Sequence, residues 1–580
     1  MKLSRQEGFA TNKRWDYLYK TSNQSKISEL AEKLRLPSAI ACVLVNRGIE
    51  TEEAAREFLG KSIAGVHHPY ALKDAQKAAE RIKLALENKE KIVIYGDYDV
   101  DGITSTAILY QFLSEQGADV DFYIPNRSDE GYGINMLALQ KIKKEGASLL
   151  VTVDCGITAV GEVEFAKAIG LEVIITGHHT CKEEVPKAYA LVNPKQPDCT
   201  YPFPDLAGVG VAFKLILAIV LTLGYNAREY FDKYIDIVAV GTVADVVSLT
   251  DENRIFVANG LKKLQNTQNE GLRALFQTAG IADKPINAGV ISFTVAPRIN
   301  AAGRVGSAQL AVELLVTKSK ARAQEIAQIL EEENHERQQT ELEILKDALG
   351  MIANMEDAEK KKVFVLAKED WHHGVIGIVA SRIVDRFHKP TILISLKDNL
   401  GKGSGRSVKG FNLFDALTHC SDLLLKYGGH ELAAGLGLNY SDIDAFDKAI
   451  NAYAEETLKT VDLTPCISID AELQATDLTL AAAQAVSILE PFGMGNPQPV
   501  FAISGVTLTA ARTLSDGKHA KLTVTKNGRA FDFLGFGMGA LADQFHMGCK
   551  IDIAFTMGIN VFRGEKNLQL IIKDARMSVA

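Results

Sequence analysis

Short, largely apolar runs of strand length recur along the chain at Ile92–Tyr95, Val120–Ile124, Leu149–Val153 and Leu171–Thr176. Segments of helical length such as Ile103–Gln116 separate them. This alternation predicts a mainly parallel sheet with helices on both faces, over residues 86–305. Ahead of it, residues 1–85 read as a helical segment with amphipathic pieces at Ser25–Leu34 and Thr51–Leu59. Residues 306–355 are rich in Ala, Glu, Gln and Leu and nearly free of Gly and Pro, which predicts connecting helices, the later one long. A second α/β rhythm occupies 356–460, with strands at Val363–Ala367, Thr391–Ser395 and Gly403–Arg406 and helices at Gly374–Phe387 and Leu413–Leu425. From 461 to 580 the pattern changes to short strands with turn residues between them, which predicts a small β-barrel. The fold class is α/β: two lobes joined by a long helix, followed by the barrel.

A length of 580 residues fits three or four domains. Hydrophobic residues make up 47% and charged residues 23%, as in ordinary globular proteins. The most apolar region, Ala207–Gly224, carries Lys214 in its middle, and the N-terminus lacks an apolar core, so neither a bilayer span nor a signal peptide is expected. Seven scattered cysteines argue for reduced thiols in a cytoplasmic setting and against a disulfide frame or zinc knuckle. The net charge of −8 means that any nucleic-acid binding has to come from a local basic surface.

The chemistry concentrates at predicted strand ends. Gly96-Asp97-Tyr98-Asp99-Val100-Asp101-Gly102 follows the first strand, ahead of a helix start read at Thr104–Thr106. Open α/β sheets place their ligands at strand carboxyl ends. Three acids in five residues repel one another unless a cation neutralises them. A calcium loop would need a Glu near its twelfth position, where this chain has Ile108. Asp154 closes a second such strand and His178-His179 a third. Asp236 and Asp245 stand in or beside a small-residue helix. Converging strand ends would bring these groups together as a site for two hard or borderline cations, Mn2+ or Mg2+. Elsewhere, Gly403-Ser404-Gly405-Arg406-Ser407 and Gly428-Gly429-His430 have the composition of phosphate-binding loops. Arg298 and Arg304 flank Asn300 in a stretch read as a loop suited to phosphate or base contacts.

Eight blocks in order resemble the DHH phosphoesterases, and within them the RecJ-type single-strand-specific exonucleases. The acidic block, Val153-Asp154-Cys155-Gly156, His178-His179 and Gly241-Thr242-Val243-Ala244-Asp245 are similar to the family's first four motifs. Pro297–Arg304, Trp371–Gly377, Gly403–Ser407 and Gly428–Gly435 are similar to its linking segment and its second domain, termed DHHA1. The resemblance implies that Asp99, Asp101, Asp154, His178 and Asp245 ligate metal, with Asp154 bridging two ions. It implies that Asp97 is a ligand or close partner and that His179 faces the scissile phosphate. Arg127, Ser404 and Arg406 would grip a terminal 5′-phosphate, and His372 and His373 would line the cleft from the second lobe. Gly429 and His430 would add phosphate contacts. The barrel would be an OB-fold for single strands, with Phe492, Phe501, Phe533 and Phe562 as candidate stacking rings.

One position departs: Gly177 stands where the family's name motif has aspartate. The implied activity is 5′→3′ digestion of single-stranded DNA to 5′-mononucleotides, in recombination and repair. The implied partners are a 5′-phosphorylated single strand and a single-strand-binding protein or helicase, with no membrane, and the enzyme would be a monomer. Two alternatives stay open. One is a phosphodiesterase of the same superfamily acting on oligoribonucleotides or cyclic dinucleotides. The other is a DNA-binding scaffold impaired by Gly177.

Overall fold

The computed structural model describes residues 13–126, 130–131, 133–460 and 464–578. It divides into two compact units: Glu53–His335 with Ile488–Gln498, and Met1–Glu52 with Glu336–Ser487 and Pro499–Ala580. The chain opens with a strand the sequence pattern did not suggest, β1 (Arg14–Tyr17), which pairs in parallel with Cys466–Ile469 more than 400 residues later. The segment read as wholly helical is therefore a strand followed by helices at Gln24–Leu34, Ser38–Asn46 and Glu52–Gly60.

The Glu53–His335 unit is built on five parallel strands: β2 (Ile92–Tyr95), β3 (Val120–Tyr123), β4 (Leu149–Thr152), β5 (Glu172–Thr176) and β6 (Ala190–Val192). Their order is β3-β2-β4-β5-β6. Strand residues alternate between two cores. Ile92, Ile94, Leu149, Val151 and Ile174 join the larger one. Val93, Tyr95, Leu150, Val173 and Ile175 join the other, under the Met136–Lys144 and Val160–Ala168 helices. Burial on both faces explains why these strands read as apolar runs. The chain lays β3 on one side of β2 and β4 on the other, so the strand order reverses between β2 and β4, the place where such sheets hold ligands.

The apolar segment near residue 215 is a buried core helix, Gly208–Thr222, whose Lys214 reaches Glu252 at 2.7 Å. Among the described residues no helix is long and apolar enough to cross a membrane. All seven cysteines are free. The long helix spans Lys320–Asn354.

In the other unit, β7 (Phe364–Glu369), β8 (Thr391–Lys397), β9 (Leu400–Arg406), β10 (Lys426–Gly429) and β11 (Ala433–Asn439) form a mixed sheet. Its order is β10-β11-β9-β8-β7, and only β7 and β8 run parallel. Two expectations are corrected here. The predicted Leu413–Leu425 helix ends at His419, and Gly428–Gly435 is a hairpin, β10 and β11, rather than a loop. The small residues at these positions let strands approach closely, which composition alone does not distinguish from a loop. The tail contains β12 (Cys466–Ile469), β13 (Ala471–Glu472), β14 (Phe501–Leu514), β15 (His519–Lys526), β16 (Arg529–Gly535), β17 (Lys550–Phe562) and β18 (Glu565–Met577). Strands β14-β15-β16-β18-β17 close on themselves through β14–β17, a five-stranded barrel.

Candidate metal centre

The carboxyl ends of β2, β4 and β5 and the end of the Ala227–Ala244 helix bring the predicted acids and histidines to one place. Three overlapping groups have ligand atoms within 4.8 Å of one another: Asp97, Asp99 and Asp154; Asp154, His178 and His179; Asp101, His178 and Asp245. Asp154 and His178 each belong to two of them. The Nε2 of His178 lies 3.3 Å from Asp154 Oδ1, 3.4 Å from Asp245 Oδ2 and 3.7 Å from Asp101 Oδ2. The Nε2 of His179 lies 3.5 Å from Asp154 Oδ1.

Local structure fixes each group. The helix after β2 starts at Val100, not at the threonines, because Asp99 caps it by accepting from Gly102 N–H at 3.0 Å. Thr104 and Thr106 are buried inside that helix and donate back to the carbonyls of Val100 and Gly102. Asp154 adopts left-handed backbone (φ 57), which Asp tolerates better than most residues. Asp245 ends its helix, and the next residue, Val246, is left-handed as well (φ 61). For a β-branched residue that is strained backbone, a kind that clusters at functional sites.

The electrostatics are those of a site that needs a cation. Burial, reinforced by Asp99, pushes Asp101 up to about 7. Burial, with Asp101 and Asp99, pushes Asp245 up to about 9. Asp154 is raised well above the carboxylate range by burial and by Asp101, Asp99, Asp245 and Asp97 together. Burial, with His179 and Lys195, lowers His178 to about 3, so the imidazole is a neutral ligand at physiological pH. Asp154 Oδ1, Asp245 Oδ2 and His178 Nε2 are buried and meet no hydrogen-bond donor. Lone pairs converging without donors, on an oxygen-rich set with imidazole, fit manganese or magnesium.

Several contributors escaped sequence reasoning. Gly208 and Val209, the first two residues of the Gly208–Thr222 helix, donate to Asp101 Oδ2 and Oδ1 at 2.6 and 2.7 Å. Asn193, just past β6, donates to the carbonyl of His179 at 2.9 Å, and Lys195 is the cation acting on Asp245. The Asn193-Pro194-Lys195 run after a fourth strand was the available signal. Asp236 stays outside the cluster: it accepts from Thr267 at 2.7 Å and pairs with Lys263 at 3.2 Å.

The Arg298–Arg304 stretch is a helix (Ala296–Val305), not a loop. Arg298 is engaged by Glu331 and by the Thr294 carbonyl at 2.6 Å, so its fork is committed within the protein. Asn300 Oδ1 accepts from Val100 N–H at 3.3 Å and steadies the acidic turn from behind. Arg304 lies half-buried in the last turn. Arg127 lies outside the described residues.

Within the other unit, Arg406 donates to Ser404 Oγ at 3.2 Å and to the Gly405 carbonyl at 2.8 Å. Both side chains abut the first turn of the Ile376–Phe387 helix, where a Cβ on Gly377 would fall 2.8 Å from Ser404 Oγ and 3.0 Å from Arg406 Nη2. A helix N-terminus with a hydroxyl and a guanidinium is suited to a phosphate. His372 is exposed and accepts from Gly374 N–H at 3.2 Å, and His373 is half-buried. His430 is exposed at the β10–β11 turn, beside Gly429. The stacking candidates are corrected. Phe501 and Phe533 are fully buried against Phe555 in the barrel core, where no base can reach. Phe492 is half-buried and lies in the Ile488–Gln498 segment, outside the barrel. The side chain of Phe562 lies outside the described residues.

Comparison with known proteins assigns the family. The DHH family N-terminal domain matches residues 91–242, the DHHA1 domain 360–456 and the RecJ OB domain 469–574. The single-stranded-DNA-specific exonuclease RecJ of Bacillus subtilis (strain 168) is 41% identical over 572 residues, covering 98% of this chain and 71% of that protein. The chain belongs to the RecJ family. The RecJ of Dickeya dadantii (strain 3937) is 34% identical, covering 93% of this chain and 96% of that protein. The crystal structure of RecJ from Thermus thermophilus in complex with Mn2+ superimposes with a TM-score of 0.84 at 31% identity, covering 98% of this chain and 80% of that one. A RecJ structure with Mg2+ from the same organism gives 0.77 at 30% identity, covering 98% and 79%.

Proposed function

We propose that this protein is a metal-dependent exonuclease that digests single-stranded DNA from the 5′ end and releases 5′-mononucleotides. The observation that carries the reading is the cluster of Asp97, Asp99, Asp101, Asp154, His178, His179 and Asp245 at the β2/β4 switch point, in a chain whose RecJ-family relatives are named single-stranded-DNA-specific exonucleases. In this reading Asp99, Asp101, Asp154, His178 and Asp245 would hold two divalent cations, with Asp154 a member of two of the ligand groups and Asp97 close by. Bound there, the ions would neutralise a phosphodiester and acidify a water for attack. His178 holds a neutral nitrogen toward the site, Asn193 fixes the backbone of His179, and His179 faces the phosphate. Ser404, Arg406 and the helix start at Gly377 receive the terminal 5′-phosphate, with His372, His373, Gly429 and His430 as further contacts. The barrel binds the strand. The enzyme acts as a monomer in the cytoplasm, on strands exposed by a helicase or covered by a single-strand-binding protein, in recombination and repair.

The test is digestion of a 5′-phosphorylated, 3′-labelled single strand with Mn2+, beside blunt duplex and a length series down to dinucleotides. Single-strand digestion from the 5′ end supports the reading. Equal cleavage of duplex, or activity confined to the shortest substrates, counts against it.

A further inference from the structure

The Gly208–Thr222 helix begins inside the acidic cluster, and its first residue has nowhere to put a side chain. A Cβ on Gly208 would fall 2.5 Å from Asp154 Oδ1, 2.8 Å from Asp154 Cγ and 2.8 Å from Asp101 Oδ2. At that position the only residue that fits against both carboxylates is glycine. The close approach is used: Gly208 and Val209 aim their N–H groups at the two oxygens of Asp101, at 2.6 and 2.7 Å. The first N–H groups of a helix have no intrahelical acceptor, and here a buried carboxylate takes two of them. The same helix end carries the positive pole of fifteen aligned peptide units, nearly all buried. An independent observation marks the spot as facing a ligand. Asp154, 1% exposed, places an oxygen that has no hydrogen-bond donor 2.5 Å from where a Cβ on Gly208 would fall.

We infer that Gly208 is a positioning residue of the metal centre, acting through Asp101 and Asp154. By admitting the helix N-terminus it orients Asp101 in two-point fashion and holds Asp154 beside it, spacing the two carboxylates for cations before any cation binds. The inference rests on the reading of the acidic cluster as the metal centre. It adds an element that lies between the recognised motifs in sequence, in Ala207-Gly208-Val209-Gly210.

The test compares the native full-length protein, Gly208→Ala and the control Gly161→Ala, a helical glycine whose added Cβ would meet open space. Mn2+ affinity is read by electron paramagnetic resonance of free ion, with thermal unfolding in EDTA as the check on the fold. Binding by the native protein establishes the centre independently of Gly208. The expected result is a fall in Mn2+ affinity of about tenfold or more in Gly208→Ala, with the control unchanged, the range seen when a metal ligand loses its support. A smaller fall in a folded Gly208→Ala protein overturns the inference. If Gly208→Ala does not fold, amide hydrogen exchange of the native protein decides. Added Mn2+ should slow exchange over residues 206–210 and leave the middle of that helix unchanged. No response of 206–210 to bound Mn2+ overturns it.

Discussion

Asp154→Asn separates what this site does for metal from what it does to the fold. The substitution keeps size and shape, and asparagine tolerates the left-handed backbone at this position (φ 57). What it removes is a carboxyl whose ionisation is opposed by burial and by Asp101, Asp99, Asp245 and Asp97. The strain on the metal-free site comes first from burial of its carboxyls and then from their mutual repulsion. Asp101 titrates near 7 instead of 3.8. At about 1.4 kcal/mol per pKa unit, ionising Asp101 alone at neutral pH costs the folded state roughly 4 kcal/mol. The sign follows from proton binding. The folded value lies above the unfolded one, so between about pH 4 and 7 the folded state holds a proton that the unfolded state has lost, and stability falls as pH rises through that window.

Asparagine removes the comparable penalty at Asp154 itself, whose carboxyl is held well above the usual range by burial and by the acids around it, and its amide can donate to His178 Nε2, which lies 3.3 Å from the replaced oxygen. The expected gain for the EDTA-treated protein is about 1–3 kcal/mol, within the range of single substitutions. At roughly 2–4 °C per kcal/mol for units of this size, Tm should rise by several degrees. The metal response should reverse. Mn2+ at a hundred times its Kd should stabilise the native protein by about 2.7 kcal/mol and the variant far less. Nuclease activity should drop by about a thousandfold, since bound metal supplies several kcal/mol of transition-state stabilisation. The assay is thermal unfolding at pH 8 in EDTA and then in Mn2+, beside single-strand digestion. The reasoning fails if Asp154→Asn is less stable than the native protein in EDTA, or if it keeps the full Mn2+ response.

Four further outcomes are expected. A Cβ on Gly177 would sit 3.6 Å from the Asp154 α-carbon, in ordinary contact, so Gly177→Asp fits and should raise Mn2+-dependent digestion by about tenfold or more; equal rates would show that glycine already supports full activity. Arg406→Ala should raise KM for 5′-phosphorylated strands about 10–100-fold, the worth of one charge-assisted contact, and leave 5′-hydroxyl strands unaffected; a loss common to both would place Arg406 elsewhere in the mechanism. Val246 is 61% exposed and left-handed, so Val246→Asn should stabilise by about 1 kcal/mol in denaturant melts; destabilisation would mean its side chain is held by contacts that outweigh the strain. Phe533→Ala should cost about 3–5 kcal/mol, because the ring packs 5.1 Å from Phe555 at the barrel centre; weaker DNA binding with unchanged stability would restore Phe533 as a stacking residue.

The reach of the sequence differed between residues for physical reasons. Strands β2, β4 and β5 were readable because burial on both faces makes each a short apolar word. Their ends were readable because a parallel sheet puts all carboxyl termini at one edge, so Asp97, Asp154 and His178 had to converge once the sheet was recognised. What escaped depends on partners distant in sequence. The pairing of β1 with β12 has no local signal, since Arg14–Tyr17 is a strand only because residues 466–469 lie beside it. Glycine, serine and arginine in one run suit a phosphate loop and a strand hairpin alike, and the choice at Gly428–Gly435 is made by the β9 neighbour. Arg298 looked free for DNA because charge is visible in sequence while its counter-charge, Glu331, stands 33 residues away. The same blindness hid Gly208. Composition records a glycine at a helix start and is silent about the carboxylates that approach from the helix after β2 and the turn after β4. A site built from like charges leaves its acids legible, because nothing else explains so many at strand ends. The backbone groups that hold those acids apart carry no charge of their own, and they come into view only with the fold.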